Sequence, residues 1–392
     1  MFKAPLNRRE ALARLAAFTL TGTCPAAFAQ QEPIRIGFLA ALSGPQAVGG
    51  IKEREAAEFG IDELNKAGGI NGRQVKLYIE DNQTSAQVGL TRLNKLIHED
   101  KVSLIMGDTG SAVMAYSPIL ARVGVPFIFN GGTLPVTEHG NKWLFRTVPS
   151  DRYVTSAILT YLRVSGQGKR VALLTETSAY GEGARQLIEE RIKKGDLGMS
   201  IVASEAFQIN DVDLTAQVTK IKASNPDAII LWGASAASAI ALRNASNIGM
   251  KVPTFGSLAI VQPGMLDAAG PGREGLIAAS VGLVPGENAA NVKSAPPILQ
   301  HFAKGFSAKY PNREISFWEL MAYDGVLVAA DALRRAGSDD RAKIRDALDG
   351  VSNLSGTLGK YTYSPSNRDG AKEDSVVLMQ YRAGKWSRLW PS

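Results

Sequence analysis

The chain has 392 residues, 45% of them hydrophobic and 21% charged, with a formal net charge of +7. At two to three domains' length this is ordinary globular composition, which excludes a disordered chain, collagen and long coiled coils. One Cys and three His supply too few ligands for zinc ribbons, iron–sulfur clusters or a disulfide scaffold.

Residues 1–29 read as an export leader. Lys3, Arg8, Arg9 and Arg14 precede an apolar stretch from Leu15 to Leu20, and Ala27-Phe28-Ala29 supplies the small-residue cleavage site. The apolar stretch is too short to cross a membrane. The Arg8-Arg9 pair leaves general secretion and twin-arginine export both open. Cys24 lacks the leucine that precedes a lipoprotein cysteine, so simple cleavage near Ala29 into the periplasm is expected. The leader takes with it the only Cys, four basic residues and one acidic residue, which lowers the net charge from +7 to +4.

The body alternates strand and helix. Ile34 to Ala40 is a nearly continuous apolar run, as a buried parallel strand requires. After a loop through Ser43-Gly44-Pro45 and Gly49-Gly50, Ala57, Ile61 and Leu64 mark one face of a helix over Glu53 to Lys66, stopped by Gly68-Gly69. Val75 to Ile79 is a strand. Ala86, Leu90, Leu93 and Ile97 mark an amphipathic helix. Val102–Met106 (strand), Ala112–Arg122 (helix) and Val125–Asn130 (strand) follow. A second series repeats the pattern: strand Lys169–Thr175, helix Gly183–Lys194, strand Ser200–Phe207, helix Leu214–Ser224, strand Ala228–Trp232, helix Ser235–Ile248 and strand Pro253–Gly256. Such alternation implies parallel sheets with helices on both faces. Leu104-Ile105-Met106-Gly107 echoes Ile230-Leu231-Trp232-Gly233, and Val125-Pro126 echoes Val252-Pro253, at nearly one offset. Two similar α/β lobes are therefore expected, with the ligand site at their facing strand ends.

Enzyme motifs fail. Asp108-Thr109-Gly110-Ser111 matches an aspartic-protease string, but that chemistry needs a second such carboxylate, and none occurs. His98, His139 and His301 lack metal spacing. There is no G-x-S-x-G and no Walker loop. Gly181-Glu182-Gly183 lacks the third glycine of a dinucleotide fingerprint. Lys and Arg form no stripe, so nucleic acid is not an expected partner. No cofactor or metal is expected. The loop Gly107 to Ser111 instead opens a helix, whose free N–H groups and dipole favour an anion, and Thr109, Gly110 and Ser111 are small or hydroxylated. Gly131-Gly132-Thr133 follows the next strand with the same chemistry. Plain helix capping and a plain turn account for either loop equally well.

From Ile34 to the C-terminus the chain resembles the branched-chain amino-acid-binding type of periplasmic solute-binding proteins. The resemblance is carried by Gly37-Phe38 with Leu42-Ser43-Gly44-Pro45, Ala67-Gly68-Gly69-Ile70-Asn71-Gly72, Asp81-Asn82, Gly124-Val125-Pro126, Phe145-Arg146-Thr147-Val148-Pro149-Ser150-Asp151, Tyr180-Gly181-Glu182-Gly183 and the late Tyr323-Asp324. It implies a type I periplasmic-binding-protein fold: two doubly wound α/β lobes joined by a three-segment hinge. The lobes would comprise 30–150 with 281–358, and 151–280 with 359–392. The hinge would cross at Phe145 to Asp151, near Ala279 to Pro285, and between about Leu358 and Asp374. The implied function is non-catalytic: a monomer captures a small solute and passes it to the permease subunits of an ABC importer. A sensing module of the same fold and an exported hydrolase are the alternatives.

By the same resemblance, Ser111, Gly131 and Thr133 match the family's carboxylate pocket, to which Thr109 and Gly110 belong by position. Tyr180 matches the tyrosine that closes from the other lobe. Trp232 and Trp318 match aromatics lining the site, with core packing as the alternative for both. Val48 replaces a bulkier residue. Leu258 stands where amino-acid binders carry the acid that pairs the ligand's ammonium. An ammonium buried without a partner costs several kcal/mol. The expected ligand is therefore an aromatic or aliphatic acid without an α-amino group, with a neutral amide as the alternative, unless Glu319 or Asp151 faces the cleft and admits an amino acid.

Overall fold

The first apolar run forms β1 (Ile34–Ala40), paired on one side with β2 (Val75–Asp81) and on the other with β3 (Leu104–Gly107), all parallel. β4 (Phe127–Phe129) and β5 (Leu144–Arg146) complete a five-stranded sheet of order β2-β1-β3-β4-β5. Its crossovers are α1 (Ala47–Lys66), α2 (Ala86–His98), α3 (Gly110–Val123) and the single turn α4 (Pro135–Glu138). The computed structural model describes residues 32–390 apart from 45, 134, 139, 262, 282–295, 312 and 314. The leader with Cys24, Pro45 and His139 thus lie outside the described residues, as does the part of the expected second hinge crossing beyond 281.

A second series follows: α5 (Asp151–Ser165), β6 (Arg170–Glu176), α6 (Ala179–Lys193), β7 (Ser200–Phe207), α7 (Thr215–Ala223), β8 (Ala228–Trp232), α8 (Ala236–Asn247), β9 (Thr254–Gly256), α9 (Pro263–Ala269) and β10 (Ile277–Val281). Its strands run β7-β6-β8-β9-β10, the same winding as the first sheet. The echoed segments accordingly occupy equivalent places: β3 corresponds to β8, and β4 to β9.

The rest of the chain is shared between the sheets. α10 (Pro297–Lys309), α11 (Phe317–Ala336) and α12 (Arg341–Asp349) return to the first sheet, where α11 lies along α1. Phe302, Phe306 and Tyr323 surround Phe59 of α1 at ring separations of 5.7, 5.7 and 6.1 Å. A short hairpin, β11 (Leu354–Ser355) with β12 (Lys360–Tyr361), stays beside them. β13 (Val376–Arg382) then joins the second sheet antiparallel to β10, and β14 (Lys385–Trp390) pairs antiparallel to β13, so that sheet is mixed where pure parallel pairing was expected. Ala383 and Gly384, at φ of 50° and 82°, make the two-residue hairpin turn that sets β14 antiparallel to β13.

Two boundaries move from the sequence expectation. α1 starts at Ala47, not Glu53, because Gly49 and Gly50 admit close neighbours rather than break the helix. A Cβ on Gly50 would fall 2.0 Å from the Ala41 carbonyl oxygen, and one on Gly49 would fall 3.1 Å from the Trp318 indole. The third passage between sheets comes late. Tyr361, Tyr363 and Ala371 pack in the first sheet's apolar core, and the Asp324 carboxylate accepts the Thr357 and Leu358 N–H groups and the Tyr361 hydroxyl at 2.7, 2.9 and 2.6 Å. Residues 359–371 therefore pack with the first lobe, not the second as expected, and the crossing lies between Ala371 and Val376.

Candidate functional site

The loops after β1, β3, β4 and β5 and those after β6, β8 and β9 leave their sheets at the carboxyl ends of the strands, where open α/β sheets hold ligands. α3 of the first lobe meets α6 of the second across the gap.

On the first lobe, Ala40, Ala41, Gln46, Gly50, Glu53, Asp108, Thr109 and Trp318 line one cavity. Two of the sequence-predicted residues, Thr109 and Trp318, are among them. Trp318 lies in the first turn of α11, against Gly49. Thr109 is the residue before α3, with extended backbone (φ −102°, ψ 161°), so it holds the cap position of that helix. The α3 helix begins at Gly110, and the side chain of Ser111 lies outside the described atoms.

Asp108 carries the unused protease string. It sits at φ 56° with 3% exposure, and it accepts the Asn82 amide, the Tyr116 hydroxyl and the Thr109 N–H at 2.7, 2.8 and 2.7 Å. Burial pushes its pKa up to about 6 despite these three donors. Its role in the fold is to tie the β3 loop to β2 and α3.

Glu53 was missed by motif reading. It is 2% exposed, and its Oε2 accepts the Asn130 amide at 3.0 Å. Burial, with Asp108 and Glu319 nearby, pushes its pKa up to about 8. The signal existed in the sequence: Glu53 falls one turn before Ala57 on the stripe Ala57, Ile61, Leu64, so an acid occupies the buried face of α1. Glu319 does not reach the cleft as a free group. Its Oε2 accepts Ser316 N–H and hydroxyl at 2.8 and 2.6 Å, and its Oε1 is 3.4 Å from Lys52 Nζ.

The loop at Gly131 and Thr133 is held by Arg146, which is fully buried. The guanidinium donates to the Gly131 carbonyl, to the Thr133 carbonyl at 2.9 Å, to the Thr137 hydroxyl at 3.1 Å and to Asp369 at 2.8 Å. It also lies over the Phe129 ring at 4.9 Å. Asp151, at the start of α5, sits beside this loop: its N–H donates to the Gly132 carbonyl at 2.9 Å, and a Cβ on Gly132 would come 2.6 Å from its Oδ1. Among the described residues that Oδ1 is buried with no hydrogen-bond partner. Burial pushes the Asp151 pKa up to about 7, partly offset by the Arg146 charge.

The second lobe brings Tyr180, Trp232 and Leu258 together. α6 starts at Ala179, earlier than expected, because Ser178 caps it by accepting the Gly181 N–H; Tyr180 thus sits in the first turn. Its ring is 5.8 Å from that of Trp232, and its phenol is within hydrogen-bonding reach of Ser257 and the Ala259 N–H on either side of Leu258. Burial and the neighbouring Asp151 raise the phenol pKa well above its ordinary value. Trp232 is fully buried with its indole N–H unpartnered, and Leu258 packs into the same apolar cluster.

Among the described residues no group of three or more His, Cys, Asp or Glu could hold a metal ion, and no helix is long and apolar enough to cross a membrane.

Known proteins place this geometry. The periplasmic binding protein family model matches residues 33–385. A Leu/Ile/Val-binding protein homolog 3 of Brucella melitensis is 28% identical over 89% of this chain and 92% of its own. A leucine-, isoleucine-, valine-, threonine- and alanine-binding protein of Pseudomonas aeruginosa is 26% identical over 81% of this chain and 82% of its own. Among solved structures, the branched-chain amino acid transporter substrate-binding protein LivJ of Streptococcus pneumoniae, in complex with isoleucine, superposes with a TM-score of 0.80 at 26% identity, covering 91% of this chain and 99% of that one. The chain belongs to the periplasmic binding protein family, with its type I fold, and is a solute-binding protein rather than an enzyme.

Proposed function

We propose that this binding protein captures a small carboxylate-bearing solute between its two lobes and delivers it to the permease subunits of an ABC importer. The first lobe would comprise 32–150 with 297–371, and the second 151–281 with 376–390. The solute carboxylate would meet the N–H-rich loops at Thr109, Gly110 and Ser111 and at Gly131 and Thr133, with Trp318 along its side. Tyr180, Trp232 and Leu258 would close over it by hinge motion.

The observation that carries the chemical class is Leu258. It is 7% exposed and packs among apolar side chains with Trp232, in the loop where amino-acid binders of this family place an acid. A second lobe without a carboxylate there disfavours an ammonium, so the solute is an aliphatic or aromatic acid lacking an α-amino group. A thermal-shift panel tests this: 4-methylpentanoate or phenylacetate at a hundredfold Kd adds about 2.7 kcal/mol of stability. No shift with any carboxylate overturns it.

One observation favours a second reading. The unpartnered Asp151 Oδ1 is an acid available to an ammonium from the hinge side, and the relatives named above are amino-acid binders. Leucine binding at micromolar affinity selects that reading.

A further inference from the structure

Glu53 lines the first-lobe cavity beside Gln46, Thr109 and Trp318. Among the described residues it faces no free cation. Lys52, its neighbour on α1, turns to Glu319; the other charged groups against it are Asp108, on the β3 loop, and Glu319 itself, on α11. Among the described residues its hydrogen-bond partner is an amide donor: Asn130 Nδ2 gives to Oε2, and Asn130 is braced from its other end by the Thr147 hydroxyl at 2.8 Å. A carboxylate buried without a counter-ion costs several kcal/mol, whereas the neutral acid keeps one acceptor oxygen and gains one O–H donor. Asn130 engages the acceptor oxygen, which leaves the O–H for the cavity.

We propose that Glu53 is a solute-contacting residue that works in its neutral form, donating a hydrogen bond from its carboxyl group to an oxygen of the bound solute. The proposal rests on the carboxylate reading above and deepens it: the first lobe recognises solute oxygen by a protonated acid as well as by backbone N–H groups. An anionic solute beside Glu53 holds the proton on more firmly, so binding and protonation support each other. Above the pKa of about 8 the donor is lost and the ionised acid repels the solute.

The test is calorimetry of 4-methylpentanoate and phenylacetate with the wild-type protein, Glu53→Gln and Glu53→Leu from about pH 5.5 to 9. Wild-type affinity should be nearly constant below about pH 7 and weaken by up to tenfold per unit above about pH 8. Glu53→Gln, whose amide donates at every pH, should bind without that upper decline. Glu53→Leu should bind about tenfold or more weakly at low pH. Asp108 and Asp151 titrate alike in wild type and Glu53→Gln, so the difference between the two profiles isolates Glu53. Parallel profiles overturn the proposal, as does a wild-type affinity that rises through pH 8, which would mean that the ionised acid receives a solute cation. Should Glu53→Leu fail to fold, the Glu53→Gln profile decides alone. If neither acid binds any form at about pH 6.5, the carboxylate reading itself falls and Glu53's role falls with it; binding with parallel profiles removes only Glu53.

Discussion

The Arg146 guanidinium and the Asp369 carboxylate meet at 2.8 Å across 223 residues of sequence. Arg146 ends β5, just before the chain first leaves the first lobe; Asp369 lies shortly before it leaves for the last time. The same guanidinium holds the carbonyls of Gly131 and Thr133, and the Arg146 carbonyl accepts the Gly370 N–H and the Tyr363 hydroxyl at 3.1 and 2.8 Å. One buried side chain thus fixes two hinge segments and a proposed binding loop together.

Removing one partner leaves a buried charge uncompensated. Asp369→Ala should cost about 3–5 kcal/mol of stability, and Asp369→Asn, which keeps an acceptor, should cost less. Chemical denaturation of the ligand-free protein checks the order. A cost below about 1 kcal/mol for Asp369→Ala would show that the pair does not hold the hinge.

Gly50→Ala places a Cβ 2.0 Å from the Ala41 carbonyl oxygen, which is backbone and cannot swing aside. The first turn of α1 must shift, at a cost of about 1–3 kcal/mol, and with it the cavity wall at Gln46 and Glu53. Melting temperature and solute affinity should fall together. Loss of stability alone would remove Gly50 from the site.

Thr133→Val and Tyr180→Phe separate the two lobes' shares. Each should weaken solute binding by about tenfold, the worth of one hydrogen bond in a closed site. If the solute docks first on the lobe of Thr133 and the lobe of Tyr180 then closes over it, by stopped flow Thr133→Val should change both rates and Tyr180→Phe mainly the off-rate. Equal effects of both on association alone would contradict that order of engagement.

Much of this arrangement was legible in the residues. A nearly continuous apolar run located β1, and the echo of Leu104–Gly107 in Ile230–Gly233 marked two equivalent strands of two sheets. What stayed hidden was set by tertiary packing. Gly49 and Gly50 read as a loop because their use, close approach to Ala41 and Trp318, is made by distant residues. The antiparallel pairing of β14 with β13 follows from one hairpin turn at Ala383-Gly384, too local to stand out, and that of β13 with β10 from the chain's late return to the second sheet. Glu53 lay in plain view on an apolar helical face, but its meaning depended on Asn130 and Asp108, which only the fold brings near.

Stability of the ligand-free protein should fall as pH rises from about 5 to 8. Burial raises the folded-state pKa of Asp108 to about 6, Asp151 to about 7 and Glu53 to about 8. The folded chain therefore binds more protons than the unfolded chain in this window, and stability declines with pH wherever that holds. Asp151→Asn and Glu53→Gln should each flatten the slope of melting temperature against pH. A melting temperature that climbs from about pH 5 to 8 would contradict the burial of these acids.

The same Asp151 distinguishes solute classes by sign. A solute without an ammonium should bind more tightly as pH falls through about 7, because the neutral acid no longer repels the solute carboxylate. An α-amino acid should bind more weakly over that interval, because its ammonium needs the ionised form. Affinities of the preferred solute at about pH 6 and 8 in Glu53→Gln read this sign directly.

If Leu258 excludes an ammonium, two solutes that differ by that group alone should differ in affinity. Calorimetry of 4-methylpentanoate and leucine at neutral pH should give the tighter binding for 4-methylpentanoate, by about tenfold or more. Leucine binding at micromolar affinity and 4-methylpentanoate binding more weakly would contradict the account and identify an amino-acid carrier whose ammonium is met at Asp151.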